Sequence, residues 1–169
     1  VRSETVALVR VAERNIGLVK RALDIGADGV AIPWIETAEQ LREVVAFAHY
    51  PPQGMRGIGA ERATAWGQCI AEHVREANAN VLVVPMIESV RGGENIREIV
   101  SVEGVELFLI GPADYSSSAG FAGQWEGPGI ADQLRKVKDA IVAAGKYCGG
   151  IATSDANLAE RQAQGFRVL

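Results

Sequence analysis

Apolar residues in this chain fall into short unbroken blocks, separated by longer stretches where they recur every third or fourth position. The blocks are Ala7–Val11, Gly29–Ile35, Val81–Ile87, Val105–Ile110, Tyr147–Ala152 and Phe166–Leu169. An unbroken block, as opposed to alternation, predicts a strand covered on both faces, as in parallel sheets. The intervening stretches have helical period. "IGLVKRALDIGADG" puts Leu18, Ala22 and Ile25 on one face and then stops at glycine. "TAEQLREVVAFAHY" opens on Thr37 with Gln40 three residues later, a capping box, and continues through Leu41, Val44, Val45 and Ala48. "GGENIREIVSV", "IADQLRKVKDAIVAAGK" and "SDANLAERQAQG" read as helices too, the last capped by Ser154 or Asp155 and stopped by Gly165.

Strand then helix, repeated, predicts an α/β protein with a parallel sheet. A faint internal echo sharpens this. "IPWIETAEQLREVV" parallels "VPMIESVRGGENIREIV": a strand carries Pro, then Glu, then a small hydroxyl residue, before a helix. Repeated βα units of this kind fit a (β/α)₈ barrel better than a doubly wound sheet. No glycine-rich dinucleotide fingerprint follows a strand, and "GMRGIGAER" follows Pro51-Pro52 in a loop, the wrong context for a phosphate cradle. A barrel needs eight strands and about 250 residues. With 169 residues, six strand blocks and no initiator Met, the chain reads as one barrel domain over 1–169, incomplete at both ends.

Composition narrows the function. The chain is 48% hydrophobic and 22% charged, with net charge −4 from 17 basic and 21 acidic residues. That is ordinary for a globular domain and disfavours a general nucleic-acid binder, which wants a basic face. The longest apolar block, Val81–Ile87, is far short of the roughly 20 residues of a membrane-spanning helix. Cys69 and Cys148 make neither a disulfide framework nor a CxxC site, so reduced thiols and a cytoplasmic location are expected.

Two strand blocks end on an acid. "VLVVPMIES" delivers Glu88, and "LFLIGPADYSSSAG" turns at Gly111-Pro112 and delivers Asp114. In a barrel, active sites lie at the C-terminal strand ends, and neighbouring strands are about 4.8 Å apart. Two such carboxylates either share a hard divalent cation or are surface charges at strand ends. With no Cys or His beside them, zinc is disfavoured. Arg10, a charge inside "LVRV", is either a fork for a carboxylate or enolate oxygen or half of a structural salt bridge. Glu36 closes "AIPWIE" and competes with Glu88 for a metal, but ranks behind it as a supporting or loop residue. Arg56 reads as an exposed loop arginine, or as one that meets an anionic substrate or a neighbouring subunit. His49 and His73 read as helix-surface or interface histidines. Lys20, Lys136 and Lys138 sit on helices and Lys146 before a strand, which disfavours Schiff-base chemistry. The "SSS" run has no GxSxG elbow; it caps a following helix or holds the Asp114 loop.

"YPPQGMRGIG…ERATAW", "VPMIES" and "GPADYSSSAG", in this order and spacing, resemble the HpcH/HpaI family of metal-dependent aldolases. The resemblance implies a pyruvate-kinase-like (β/α)₈ TIM barrel, commonly in a hexamer, that cleaves 4-hydroxy-2-oxo acids to pyruvate and an aldehyde. It implies Glu88 and Asp114 as ligands of Mg²⁺, Mn²⁺ or Co²⁺, and Arg10 as the arginine on the pyruvate oxygens. It also implies that the backbone around Gly111, Pro112, Ala113 and Asp114 receives the substrate carboxylate through its amides. Two departures stand out. The family's acid/base histidine has no counterpart in this chain, and the Gln that many members carry two residues before the metal Glu is Met86 here. Enzymes of the citrate-lyase-β and malyl-CoA-lyase type, which act on CoA thioesters in a related barrel, are the rival reading, alongside an inactive fragment.

Overall fold

The computed structural model describes residues 5–169. It divides the chain into two compact units: unit 1 is Val1–Pro33 with Arg42–Val84, and unit 2 is Trp34–Leu41 with Pro85–Leu169.

Unit 1 holds β1 (Leu8–Arg10), β2 (Gly29–Ile32) and the first half of β3 (Leu82–Ile87) in that order. β1 and β2 are parallel, with Arg10 opposite Ala31. Between them runs α1 (Ile16–Asp24), where the Asn15 side chain accepts the amides of Gly17 and Leu18 as N-cap. Gly26, at φ 98°, turns the chain back after it. Val30 and Ile32 in β2 are wholly buried with Val19 and Leu23 of α1, each contributing about 1.5–3 kcal/mol of burial. β2 therefore matches its sequence pattern. β1 does not: Leu8 and Arg10 are exposed, so this apolar block is not covered on both faces. Most of α2 (Ala38–Ala48), a 3₁₀ turn at Arg62–Thr64 and α3 (Ile70–Asn80) complete the unit. Asn78 closes it by accepting the Tyr50 amide at 2.7 Å and donating to the Tyr50 carbonyl at 2.9 Å.

Unit 2 continues from β3 into β4 (Leu107–Ile110) and β5 (Tyr147–Gly149), all parallel. The register pairs Met86 with Leu109 and Ile87 with Ile110. Phe166–Leu169, expected as a strand, contributes one isolated bridge, Val168 to Gly149. "GGENIREIVSV" is two short helices, α4 (Val90–Glu94) and α5 (Ile96–Ile99), broken at Asn95. The serine run is itself helical, α6 (Pro112–Ser118), with proline in its first turn. α7 (Ile130–Ala143) and α8 (Asp155–Ala163) follow, Ser154 capping α8 through the Asn157 amide. Thr37 and Gln40 form the expected capping box at the start of α2. Phe108, Ile87, Ile99, Ile141 and Ile35 are the buried centre of this unit.

Candidate active site

The site is built in unit 2, where β3 and β4 end. The Ile87–Ile110 register puts the next residues, Glu88 and Gly111, level with each other, and the Gly111 amide donates to the Ile87 carbonyl at 3.1 Å. Glu88 is 3% exposed. Its Oε2 accepts the Trp34 amide at 3.1 Å. Its Oε1 lies against Gly111 so closely that a methyl group there would stand 2.7 Å away. A buried carboxylate must be compensated, and this one is held from both sides.

Gly111 is also the N-cap of α6, and Asp114 lies in the first turn of that helix. One helical turn carries Asp114 about 5 Å along from the glycine that touches Glu88. Asp114 is exposed and makes no hydrogen bond or ion pair among the described residues. Ser116 and Ser118 brace the turn. Ser116 Oγ donates to the Ala113 carbonyl and accepts the Gly123 amide; Ser118 Oγ donates to the Tyr115 carbonyl and accepts the Val90 amide. The Tyr115 phenol, buried against α7, donates to Gln133 and has its pKa raised by burial and then by Glu94.

The segment after β2 wraps the other side of Glu88. Trp34 stands in left-handed backbone, φ 55°. The Ile35 amide donates to the Met86 carbonyl at 3.2 Å, and Asn95 Nδ2 to the Glu36 carbonyl at 2.8 Å. Glu36 accepts Ser89 Oγ at 2.7 Å, with Arg91 at 3.7 Å. Glu36 is thus bonded to Ser89, the neighbour of Glu88. Sequence reasoning missed Trp34. The internal echo, which aligns Trp34 with Met86, was the available signal.

A hard divalent cation suits this donor set: one buried, oriented carboxylate and one open carboxylate, both oxygen ligands. No cluster of three or more His, Cys, Asp or Glu exists among the described residues, so protein ligands alone do not close a shell.

The remaining candidates belong to unit 1. Arg10 ends β1, exposed, with no ion pair among the described residues, so the salt-bridge alternative finds no partner there. Arg56 is not the exposed loop residue expected. It is 3% exposed, its Nη2 is 2.9 Å from Asp24 Oδ1, and its guanidinium stacks 4.6 Å from the Tyr50 ring centre. Lys20 joins the same Asp24. His49 is likewise buried, its Nδ1 donating to the Val45 carbonyl at 2.7 Å. His73 is partly buried and meets the Tyr50 ring edge-on at 6.0 Å.

Residues 2–168 match the HpcH/HpaI aldolase/citrate lyase family. The chain belongs to this family. A hydroxypyruvate/pyruvate aldolase of Delftia acidovorans is 39% identical over 88% of this chain and 55% of its own length. A 4-hydroxy-2-oxovalerate aldolase of Novosphingobium aromaticivorans is 36% identical over 92% of this chain and 58% of its own. A crystal structure of a family member from Burkholderia cenocepacia superposes with a TM-score of 0.91 at 34% identity, over 95% of this chain and 64% of that one. The chain therefore spans a little over half the length of the curated relatives it matches. No helix among the described residues is long and apolar enough to cross a membrane.

Proposed function

We propose that this family member is the greater part of a (β/α)₈ barrel that cleaves a 4-hydroxy-2-oxo acid to pyruvate and an aldehyde, and runs the reverse addition. The observation that carries this reading is the pairing of buried, oriented Glu88 with open Asp114, one helical turn beyond the glycine that Glu88 touches. Aldolase names among relatives at 36–39% identity support it.

Glu88 and Asp114 would hold a divalent cation, which when bound supplies Lewis acidity toward the 2-oxo and carboxylate oxygens of the substrate. The chain's own residues do the rest. The Trp34 amide keeps Glu88 Oε2 in place, so the carboxylate is pre-organised before substrate arrives. The Ala113 and Asp114 amides would face the substrate carboxylate; the Gly111 amide, expected to join them, is spent on the Ile87 carbonyl, and Pro112 has none. In cleavage a base takes the C4 hydroxyl proton, the O–H pair forms the aldehyde C=O, the C3–C4 pair moves to C2–C3 and the 2-oxo π pair onto its oxygen, and a proton returned to C3 gives pyruvate. By the family resemblance, Arg10 would offset the charge that develops on the 2-oxo oxygen. Neither histidine of the chain is placed to take the proton: His49 is buried and donates to Val45, and His73 packs on Tyr50. The family resemblance gives this step to a histidine that has no counterpart here, acting directly or through water.

The test is cleavage of a 4-hydroxy-2-oxo acid, with pyruvate read by a coupled dehydrogenase, against a CoA thioester as competing substrate. Glu88→Gln and Asp114→Asn are expected to lower kcat/KM by about 10²-fold or more, and Arg10→Ala by about 10²-fold. Wild-type rates in either carboxylate variant, or cleavage of the thioester alone, would reject the reading.

A further inference from the structure

Trp34 is an outlier on two counts. A bulky residue in left-handed backbone costs about 1–2 kcal/mol, and the residue is left 46% exposed. Such a conformation persists where surroundings over-determine it, and it points to a function at the strained position. Here the surroundings are the bond from its amide to Glu88 Oε2 and the flanking bond from Ile35 to Met86. That amide bond also fixes where the side chain begins: its Cβ lies within about 6 Å of the Glu88 carboxylate, by covalent geometry alone. Met86, in β3 and two residues before Glu88, which directly follows the strand, is only partly buried, and the alternation of extended chain puts the two on one side. The polar groups nearby are committed elsewhere, Glu36 to Ser89 and Arg91, and Gln40 to the Glu36 and Thr37 amides.

We propose that Trp34, with Met86, is the specificity wall for the part of the substrate that leaves as the aldehyde, and that this part is apolar, not polyhydroxylated. The proposal rests on the aldolase reading above. A hydroxylated tail beside Trp34 and Met86 would lose its water without gaining partners, whereas an alkyl or aryl tail covers apolar surface already open there.

Binding without turnover tests it. Calorimetry in Mg²⁺ compares pyruvate, 2-oxooctanoate and a polyhydroxylated 2-oxo acid of the same chain length. The parent chain is expected to bind 2-oxooctanoate at least about tenfold tighter than pyruvate, the scale of burying a few methylenes, and the hydroxylated acid no tighter than pyruvate. Trp34→Ala is expected to bring the octanoate-to-pyruvate ratio below about threefold. Trp34→Gly, which suits φ 55°, does the same without backbone strain, and Trp66→Ala, at an equally left-handed but more exposed position, leaves the ratio unchanged. A parent ratio near one, a preference for the hydroxylated acid, or a ratio that survives both Trp34 variants overturns the proposal while pyruvate binding stands. Absence of any Mg²⁺-dependent pyruvate binding overturns the aldolase reading, and this proposal with it.

Discussion

Gly111→Ala gives opposite signs of stability change according to whether Glu88 is held where it stands. Gly111 has φ −97°, a conformation open to any residue. With empty space beside it, alanine would stabilise the protein by about 0.4–1 kcal/mol, through the lower entropy of the unfolded chain. The space is not empty. The new Cβ would lie 2.7 Å from both Cγ and Oε1 of Glu88, about 1 Å inside an ordinary carbon contact. An exposed glutamate would swing aside at little cost, but Glu88 is 3% exposed and bonded to the Trp34 amide. Relief must come from moving the carboxylate or the β4–α6 turn. Overpacking of this kind costs about 1–3 kcal/mol. Displacing a catalytic group by about 1 Å lowers turnover by about 10²-fold. Urea denaturation and Mn²⁺ calorimetry on the same variant read both effects. The expected result is a lower urea midpoint with unchanged slope and weaker Mn²⁺ binding. A midpoint equal to or above the parent's, with parental Mn²⁺ affinity, would refute the placement of Glu88.

Two further outcomes follow from unit 1 and from β5. Asp24→Asn leaves the buried Arg56 guanidinium without its counter-charge and is expected to destabilise by about 3–5 kcal/mol; a loss under about 1 kcal/mol in urea denaturation would mean that Arg56 is solvated. Burial pushes the Cys148 thiol from its ordinary 9.0 up to about 12, with Lys138 pulling the other way. The folded state then keeps a proton that the unfolded chain sheds above pH 9, so stability is whole below pH 9 and falls as pH rises from 9 toward 12. The loss is about 1.4 kcal/mol by pH 10. Thermal melts at pH 8 and pH 10 should show a smaller drop for Cys148→Ala than for the parent, and equal drops would contradict the assignment.

Much of the scaffold was legible because its signals are local. Unbroken apolar blocks located all five strands among the described residues, and Thr37–Gln40 and Ser154 announced two helix starts. Strand ends were shorter than the blocks, since hydropathy does not register where ladder bonds stop: β2 ends at Ile32, not Ile35, because Trp34 turns away to reach Glu88. The α6 helix was missed: Gly111-Pro112 was read as a turn, and the three serines as caps of a following helix or holders of the Asp114 loop. Glu88 and Asp114 were singled out because each closes an apolar strand block. Arg56 and Trp34 were not readable. The partner of Arg56 is Asp24, far along the chain, and the left-handed backbone of Trp34 is set by bonds to β3 rather than by its own preference.

The central claim is enolate chemistry at Glu88 and Asp114, and exchange of pyruvate methyl protons for deuterium in D₂O, followed by mass spectrometry, tests it most directly. The chain is compared with its Glu88→Ala variant, with and without Mg²⁺. Exchange that requires both the cation and Glu88 is the predicted result. Exchange that persists without either one, or no exchange under any of the four conditions, would contradict the account.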